Sequence, residues 1–381
     1  MPLSILAVTG ARSDWGLLVP VLGSIRDDRA FDLRLAVTGQ HLVAGSPSLE
    51  AIGADGFSID HQIDMGIDGD SAEAVTAAMA RGLAGFGALL ASRRPDLMLV
   101  LGDRYETLAA VEAALVARVP VAHLCGGDVT EGAIDDAIRH AITKMAHLHF
   151  VTNADAARRV AQLGEDPARI HTVGSPGLDR IAEIEPMSRE AFFTALGLTP
   201  RARNLLVTFH PVTLADDTDR QHQALLDALA GLDDVGLIFT GSNADPGARA
   251  IDARSRAFVA GRDNAVFFES LGSARYFSAL RHVDAVVGNS SSGLYEAPSF
   301  EKPTVNIGER QTGRPRAASV IDCPADTAAI TAAIGRALAM DCTDASNPYG
   351  DGRAAERIVA VLKTIDDPAA LLHKSFRDLP A

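Results

Sequence analysis

Residues 119–144 read V-P-V-A-H-L-C-G-G-D-V-T-E-G-A-I-D-D-A-I-R-H-A-I-T-K, and the rest of the chain follows from them. The stretch begins as a short apolar strand, Val119–Leu124, and breaks on Gly126-Gly127. After an acidic loop it restarts as a helix, because Ile134, Ile138, Ala141 and Ile142 recur at three- and four-residue spacing. Asp128, Glu131, Asp135 and Asp136 therefore crowd the exit of a strand and the entry of a helix. In an open α/β sheet, ligands bind in the crevice beyond the carboxyl ends of the strands. Just upstream, Asp96–Leu101 is a second apolar strand that ends in Gly102-Asp103-Arg104. If the two strands are neighbours, Asp103 and the Asp128 loop open into one crevice, and carboxylates gathered there suit proton transfer. A plainer reading stands beside this one. Acidic residues at a helix start cap free N–H groups and favour the macrodipole, and Asp135 is spaced to pair with Arg139 one turn on.

Working outward, strand and helix alternate along the whole chain, the pattern of a doubly wound parallel sheet. Leu3–Thr9 is a strand followed by the turn G-A-R-S-D, which holds Arg12 and Asp14, and then by a helix over Trp15–Arg26. The unit is the generic phosphate-facing one, yet the G-x-G-x-x-G fingerprint is absent, so no dinucleotide cofactor is indicated. Phe31–Thr38 predicts the next strand, with His41 just past its end. Turn signals over Gly174–Pro186 mark a domain boundary. The expected division is a Rossmann-like domain over 1–174, a second over 175–350, and a C-terminal helix and tail over 351–381 that pack back on the first. Two such domains facing each other across a cleft form the glycosyltransferase-B architecture.

In the second half, L-V-T-F-H-P is a strand ending in His210-Pro211, where proline keeps the backbone extended. Thr240-Gly-Ser-Asn243 is a similar strand end. Gly288-Asn-Ser-Ser-Ser-Gly293 follows an apolar strand and precedes a helix bearing Glu296. Its backbone N–H groups and the Ser290 and Ser291 hydroxyls can surround a phosphate with help from the helix dipole. Arg310 offers a countercharge, and Glu296 suits the two hydroxyls of a ribose. The structural alternative for this loop is a tight turn with a serine cap.

Composition excludes several classes. Of 381 residues, 47% are hydrophobic and 22% charged, ordinary for a globular protein. A net charge of −14 lacks the basic face that nucleic acid needs. Cys125, Cys323 and Cys342 are odd in number and widely spaced, so neither a disulfide framework nor a metal site is expected. No apolar run approaches the roughly 20 residues of a membrane span, and the N-terminus lacks the features of a signal peptide. The expected location is the cytoplasm.

Taken together, G-A-R-S-D, G-D-R-Y-E at 102–106, the 126–144 stretch, H-P-V-T at 210–213, G-N-S-S-S-G and N-I-G-E-R-Q at 306–311 resemble the hydrolysing UDP-N-acetylglucosamine 2-epimerases over nearly the whole chain. The resemblance implies a two-step reaction. The C2 proton is removed as the nucleoside diphosphate leaves C1, and water then adds at C1 with reprotonation of C2 on the opposite face. It implies a free manno-configured sugar as product and requires no cofactor and no metal. By position, Asp103 and Asp135 match family acid/base residues, and His210 matches a site histidine near the diphosphate. Arg12, Asn243, Ser290, Ser291, Glu296 and Arg310 match nucleotide-site positions, and Ser270-Leu271 lies where the base is contacted. Asp14, His41 and Arg104 join the expected binding set.

Cys125 departs from the pattern, standing where many members have glutamate, and Leu17 stands where several have lysine. Asp128 is expected to bring a carboxylate into the space of the missing glutamate, with the smaller Cys125 leaving room for a bulkier sugar. The version of the loop here is similar to the branch acting on 2,4-diacetamido-2,4,6-trideoxy sugars, so the sugar is either that one or N-acetylglucosamine, with a lean to the former. The implied nucleotide is UDP or GDP, and the implied assembly a homodimer or homotetramer. The rivals are a glycosyltransferase of the same architecture, a non-hydrolysing epimerase and a non-catalytic nucleotide-sugar sensor.

Overall fold

The computed structural model describes residues 1–69, 71–130, 134–211, 217–242 and 248–378. Seven strands make the first sheet: β1 (Leu3–Thr9), β2 (Phe31–Thr38), β3 (His61–Ile63), β4 (Leu97–Leu101), β5 (Val121–Leu124), β6 (Leu148–Val151) and β7 (Ile170–Thr172). They are parallel and ordered β3-β2-β1-β4-β5-β6-β7. Six more make the second: β8 (Arg203–Thr208), β9 (Val235–Thr240), β10 (Ala265–Phe268), β11 (Ala285–Gly288), β12 (Thr304–Ile307) and β13 (Val320–Cys323). These too are parallel, in the order β10-β9-β8-β11-β12-β13. The strands are apolar on both faces because helices cover both. Leu97, Leu99 and Leu101 of β4 join one buried cluster, while Met98 and Val100 join the cluster on the other side.

Two strands escaped the sequence reading. β3 is three residues long and offers too little periodicity. β13 (V-I-D-C) alternates buried and open positions at the edge of its sheet, so it lacks the solid apolar run of its neighbours.

By packing, the chain divides into Met1–Arg180 joined by the segment from Gly350 onward, and Ile181–Tyr349. The return to the first unit is fixed by Asp179, whose carboxylate accepts the amides of Ala354 and Ala355 at 2.9 and 2.6 Å. Those amides start the helix Ala354–Leu362, which lies on the helix Arg12–Arg26. One helix, Ala72–Ser92, corrects the expectation that no run could span a membrane. It is 21 residues long, and an 18-residue window of it has a mean hydropathy of 1.5. In the fold it is a sheet-covering helix, with Gly82 close to Met65 and Ala109, and Gly85 close to Ile63.

Candidate active site

Both sheets wind outward from their first strand in one direction and then restart on the other side. The reversal falls between β1 and β4 in the first unit and between β8 and β11 in the second. Each reversal opens a crevice at the carboxyl ends of the strands.

In the first unit, β1 turns directly into the helix Arg12–Arg26, so Arg12 and Asp14 belong to its first turn rather than to the preceding loop. Arg12 is exposed. Asp14 is only 7% exposed, and its Oδ2 is sealed from solvent with no hydrogen-bond partner among the described residues. From the end of β4, Arg104 approaches that oxygen to 3.9 Å and donates to Glu106 at 3.0 and 3.2 Å. Burial pushes the Asp14 carboxyl up to about 7; Arg104 opposes this, and the Glu106 and Asp103 charges add to it. Glu106 is itself fully buried beneath Gly39. A Cβ at Gly39 would lie 2.6 Å from the Glu106 side chain and 2.9 Å from the Gly10 carbonyl, in a left-handed conformation (φ +60°), so only glycine fits. His41 is buried with Nε2 2.9 Å from the Thr9 hydroxyl, and burial draws it down to about 4. It is neutral at neutral pH and braces the end of β1.

One strand further, β4 and β5 are direct neighbours. Arg139, on the helix Ile134–Met145, binds both strand-end loops. Its side chain is 6% exposed; it pairs with Asp103 and donates to the Asp128 carbonyl at 2.8 Å, the Thr130 hydroxyl at 2.8 Å and Asp136 at 3.3 Å. The expected Asp135–Arg139 pair is therefore replaced by pairing with Asp136 and Asp103. The long side chain runs back toward the helix start, and the pull of Asp103 and Thr130 selects the Asp136 side. Asp135 is half-buried and its carboxyl is pushed upward, by burial first and by the Asp103 charge second. Behind them His123 is fully buried, with Nε2 2.7 Å from the Gly102 carbonyl and Nδ1 3.1 Å from the Thr143 hydroxyl. A carbonyl only accepts, so Nε2 carries the proton and Thr143 donates to Nδ1. This neutral ring, drawn down to about 3 by burial, ties the Asp103 loop to the helix.

Asp128 takes the Thr152 hydroxyl on Oδ1 at 2.8 Å. Cys125 adopts a left-handed backbone (φ +62°) and packs against the core. Burial pushes its thiol far up, and the Asp128 charge adds to that, so it is an uncharged group.

In the second unit, His210 follows β8 and Asn289 follows β11. Asn289 accepts the His210 amide at 2.7 Å and donates to the His210 carbonyl at 2.9 Å, a two-point clamp across the reversal. The chain passes there because Gly288 (φ +141°) lies so near Thr208 that a Cβ would be 1.8 Å from its carbonyl oxygen. The Asn289 carbonyl receives Gln311 at 2.8 Å and Arg310 at 3.4 Å. Ser290 accepts the Ser292 amide at 3.4 Å, and Ser291 precedes the helix without a side-chain cap.

That helix is a single turn, Ser292–Tyr295, followed by the 3₁₀ turn Ala297–Phe300. Pro298 has no N–H with which to continue an α-helix, so the dipole expected at the serine loop is that of one turn. Glu296 sits at the junction, its Oε2 sealed without a hydrogen-bond partner among the described residues and its carboxyl raised by burial. The Tyr276 hydroxyl donates to Ser292 beside it. Ser270 is exposed and accepts the Gly272 amide at 3.2 Å, while the Leu271 side chain is buried in the core, leaving its backbone for any base contact. Asn243, Thr213 and Glu131 lie outside the described residues. Among the described residues, no group of three or more His, Cys, Asp or Glu is set to hold a metal ion.

The structure thus gathers Asp14, Asp103, Arg104, Asp128 and Asp135 at adjoining strand ends of one unit, and His210, Ser290 and Arg310 at those of the other. Arg139, His123, Glu106 and Asn289, which hold these strand ends together, were not singled out from the sequence. All four lie inside the motifs quoted above, but a polar side chain in a motif gives no sign of its partners.

Comparison with known proteins identifies the family. The sequence pattern of UDP-N-acetylglucosamine 2-epimerase matches residues 23–363. The UDP-N,N'-diacetylbacillosamine 2-epimerase (hydrolyzing) of Legionella pneumophila is 35% identical, with 97% of this chain and 98% of that protein aligned. The GDP/UDP-N,N'-diacetylbacillosamine 2-epimerase (hydrolyzing) of Campylobacter jejuni is also 35% identical, over 84% and 83%. The crystal structure of the Neisseria meningitidis UDP-GlcNAc 2-epimerase bound to UDP-GlcNAc superimposes with a TM-score of 0.75 at 18% identity, covering 95% of this chain and 100% of that one, and shares the fold. With two Rossmann-like units of glycosyltransferase-B type and relatives this similar end to end, the chain belongs to the UDP-N-acetylglucosamine 2-epimerase family.

Proposed function

We propose that the protein is a hydrolysing nucleotide-sugar 2-epimerase whose substrate is a UDP-linked 2,4-diacetamido-2,4,6-trideoxyglucose. The observation that carries this reading is the gathering of Asp103, Asp128, Asp135 and Asp14 around Arg104 and Arg139 at the strand ends of the first unit. A carboxylate there takes the C2 proton. The C1–O bond to the diphosphate breaks with its electron pair leaving on the phosphate, and a C1=C2 double bond forms. Water then adds its oxygen to C1 and gives a proton to a carboxylate, while a carboxylic acid returns a proton to C2 from the other face.

Residues 1–174 supply the acid/base groups, with Asp103 and Asp135 as the pair that exchanges protons with C2 and Asp128 as a third. Residues 175–350 hold the nucleotide: His210 attends the diphosphate, Ser290, Ser291 and Arg310 bind it, Glu296 takes the ribose, and the Ser270-Leu271 backbone and Asn243 complete the site. Arg12 joins the nucleotide-binding set, Arg104 faces the Asp14 carboxyl with His41 bracing β1 behind it, and residues 351–381 close back on the first domain. The names of the relatives support the hydrolysing reaction and the diacetamido sugar.

The protein acts in the cytoplasm as a homodimer. The helix Ala72–Ser92 is only 22% buried within its own chain. With Leu83 exposed on it and Leu115 and Val116 exposed on the helix Tyr105–Ala117, it offers an apolar face that a second copy covers.

The test is incubation with UDP-linked N-acetylglucosamine and UDP- and GDP-linked diacetamido sugars in heavy water. Free manno-configured sugar carrying deuterium at C2 is expected, fastest from the UDP-diacetamido substrate. A product that keeps its original C2 hydrogen, or a nucleotide sugar that is epimerised but not released, rules the mechanism out.

A further inference from the structure

The C-terminal tail of the first unit is tied down with unusual completeness. Arg169 donates to the Leu371 and His373 carbonyls at 2.7 and 2.8 Å. The Arg377 amide donates to the Gly164 carbonyl at 2.9 Å, and its guanidinium meets Asp166 at 3.1 Å. The Phe376 ring lies on Gly164, where a Cβ would come within 2.5 Å of it, with the Lys144 ammonium 4.6 Å from its centroid. Between these fixings Lys374 turns inward. An ammonium has three N–H donors, and all three are used: the Lys144 carbonyl at 2.6 Å, the Ala146 carbonyl at 2.5 Å and Glu165 at 2.7 Å. Glu165 is 2% exposed and also receives Lys144 at 2.8 Å and His149 at 3.0 Å. Burial alone would raise this carboxyl, but these hydrogen bonds hold it down at about 2.

Lys144 and Ala146 stand at the carboxyl end of the helix Ile134–Met145. The last carbonyls of a helix have no partner within it, and a cation there also meets the negative pole of the macrodipole. At its other end this helix carries Asp135 and Arg139, and Thr143 near its close holds His123, which holds the Gly102 carbonyl beside Asp103. We propose that the C-terminal tail is a positioning element of the active site: Lys374 caps the helix that carries Asp135 and Arg139, and through Arg139 and His123 it sets where the Asp103 carboxylate stands. The proposal rests on the epimerase reading above. Lys374 is far along the chain from every residue of that site and spends its three donors on Lys144, Ala146 and Glu165, so it acts through the helix.

The experiment uses the full chain with Lys374→Met, Lys374→Arg and Arg169→Gln, the last loosening the tail without touching Glu165. Steady-state kinetics on the nucleotide sugar, UDP affinity by calorimetry and hydrogen exchange are measured at a temperature where each variant is folded. Lys374→Met is expected to lower kcat by about tenfold or more, because small displacements of catalytic groups carry such effects, with KM and UDP affinity within about twofold of the wild type. Lys374→Arg restores most of the rate, and Arg169→Gln gives a smaller loss of the same kind. Amides of residues 134–145 exchange faster in Lys374→Met, while those of the second unit do not change. A folded Lys374→Met enzyme with wild-type kcat overturns the proposal. So does a loss shared equally by the arginine variant, or wild-type kcat in Arg169→Gln when the methionine variant does not fold. If the wild type itself turns over no nucleotide sugar, the epimerase reading falls instead, and unchanged exchange in residues 134–145 then removes the cap as well.

Discussion

Asp14→Asn removes a charge and almost no volume, and its effect on stability is fixed in sign by the Asp14 environment. The carboxyl has an ordinary value of 3.8 and a buried value of about 7. Across that window the folded protein keeps the Asp14 proton while the unfolded chain has lost it. The unfolded state therefore binds fewer protons, and stability falls as pH rises. Each pH unit is worth about 1.4 kcal/mol, so the whole window holds an upper limit of about 4 kcal/mol. Below the window both states are protonated, and above it both are ionised, so the penalty is absent at acid pH and constant beyond neutrality. The asparagine variant has no such slope. Its stability relative to the wild type should rise steadily between about pH 4 and pH 7 and then level off. The assay is thermal unfolding of both proteins across that range, where each kcal/mol moves Tm by about 2–4 °C for a unit of this size. Other titrating groups are common to both proteins and cancel in the difference. A Tm difference that does not change with pH would refute the reasoning, and would mean that Arg104 holds Asp14 ionised from about pH 4 upward.

Three further outcomes follow from the site. Asp103→Asn should lower kcat by about 10²–10⁴ if the carboxylate exchanges protons with the sugar, with UDP affinity unchanged by calorimetry; a loss below about tenfold would make Asp103 a partner of Arg139 and nothing more. Arg310→Ala should weaken UDP binding far more than binding of the free sugar product, because charge-assisted contacts to phosphate are the strong ones; equal UDP affinity in both proteins places the arginine outside the phosphate site. Asp128→Asn should cost about a hundredfold in turnover if this carboxylate works as acid or base, whereas Cys125→Ser should be mild, and the reverse ranking in single-turnover rates ends that assignment.

The fold was legible because parallel strands covered on both faces must be apolar without interruption. Runs such as L-M-L-V-L at Leu97–Leu101 announce themselves. The H-Q-I of His61–Ile63 does not, since three residues carry no period and only pairing with β2 makes them a strand. Site carboxylates were legible for a related reason: acidic residues at a strand exit have no packing role there, so Asp103 and Asp128 stand out. Their partners were not. Arg139 looked like one half of a local helix pair, and only the adjacency of β4 and β5 turns it toward Asp103. Asp14 was placed in the right motif, but a sequence does not reveal that Arg104 is held mainly by Glu106, leaving one Asp14 oxygen buried without a hydrogen bond. The extent of the helix after the serine loop was misjudged because Pro298 lies only one turn beyond its start.

The exit of β5 shows how backbone and side chain divide the work of this site. Cys125 takes a left-handed conformation that most residues avoid, and its amide still donates to the Phe150 carbonyl at 2.9 Å, so the turn begins while the strand is still paired. Gly127 continues the turn at φ +78°, where a Cβ would be 2.4 Å from the Ala156 carbonyl, and Arg159 holds its carbonyl at 3.1 Å. The next carbonyl, that of Asp128, is the one Arg139 grips. Three carbonyl and amide contacts within residues 125–128 thus fix the path of the main chain before any carboxylate is considered. A residue at 125 need only tolerate the left-handed turn and pack against the core, which an uncharged thiol does. A charged or an uncharged side chain at 125 leaves these contacts the same, and the same path delivers Asp128, Thr130 and Arg139 to the Asp103 loop. The carboxylate count at the strand ends can therefore vary within a constant frame, which is the physical basis for expecting Asp128→Asn to act on turnover and Cys125→Ser to spare it.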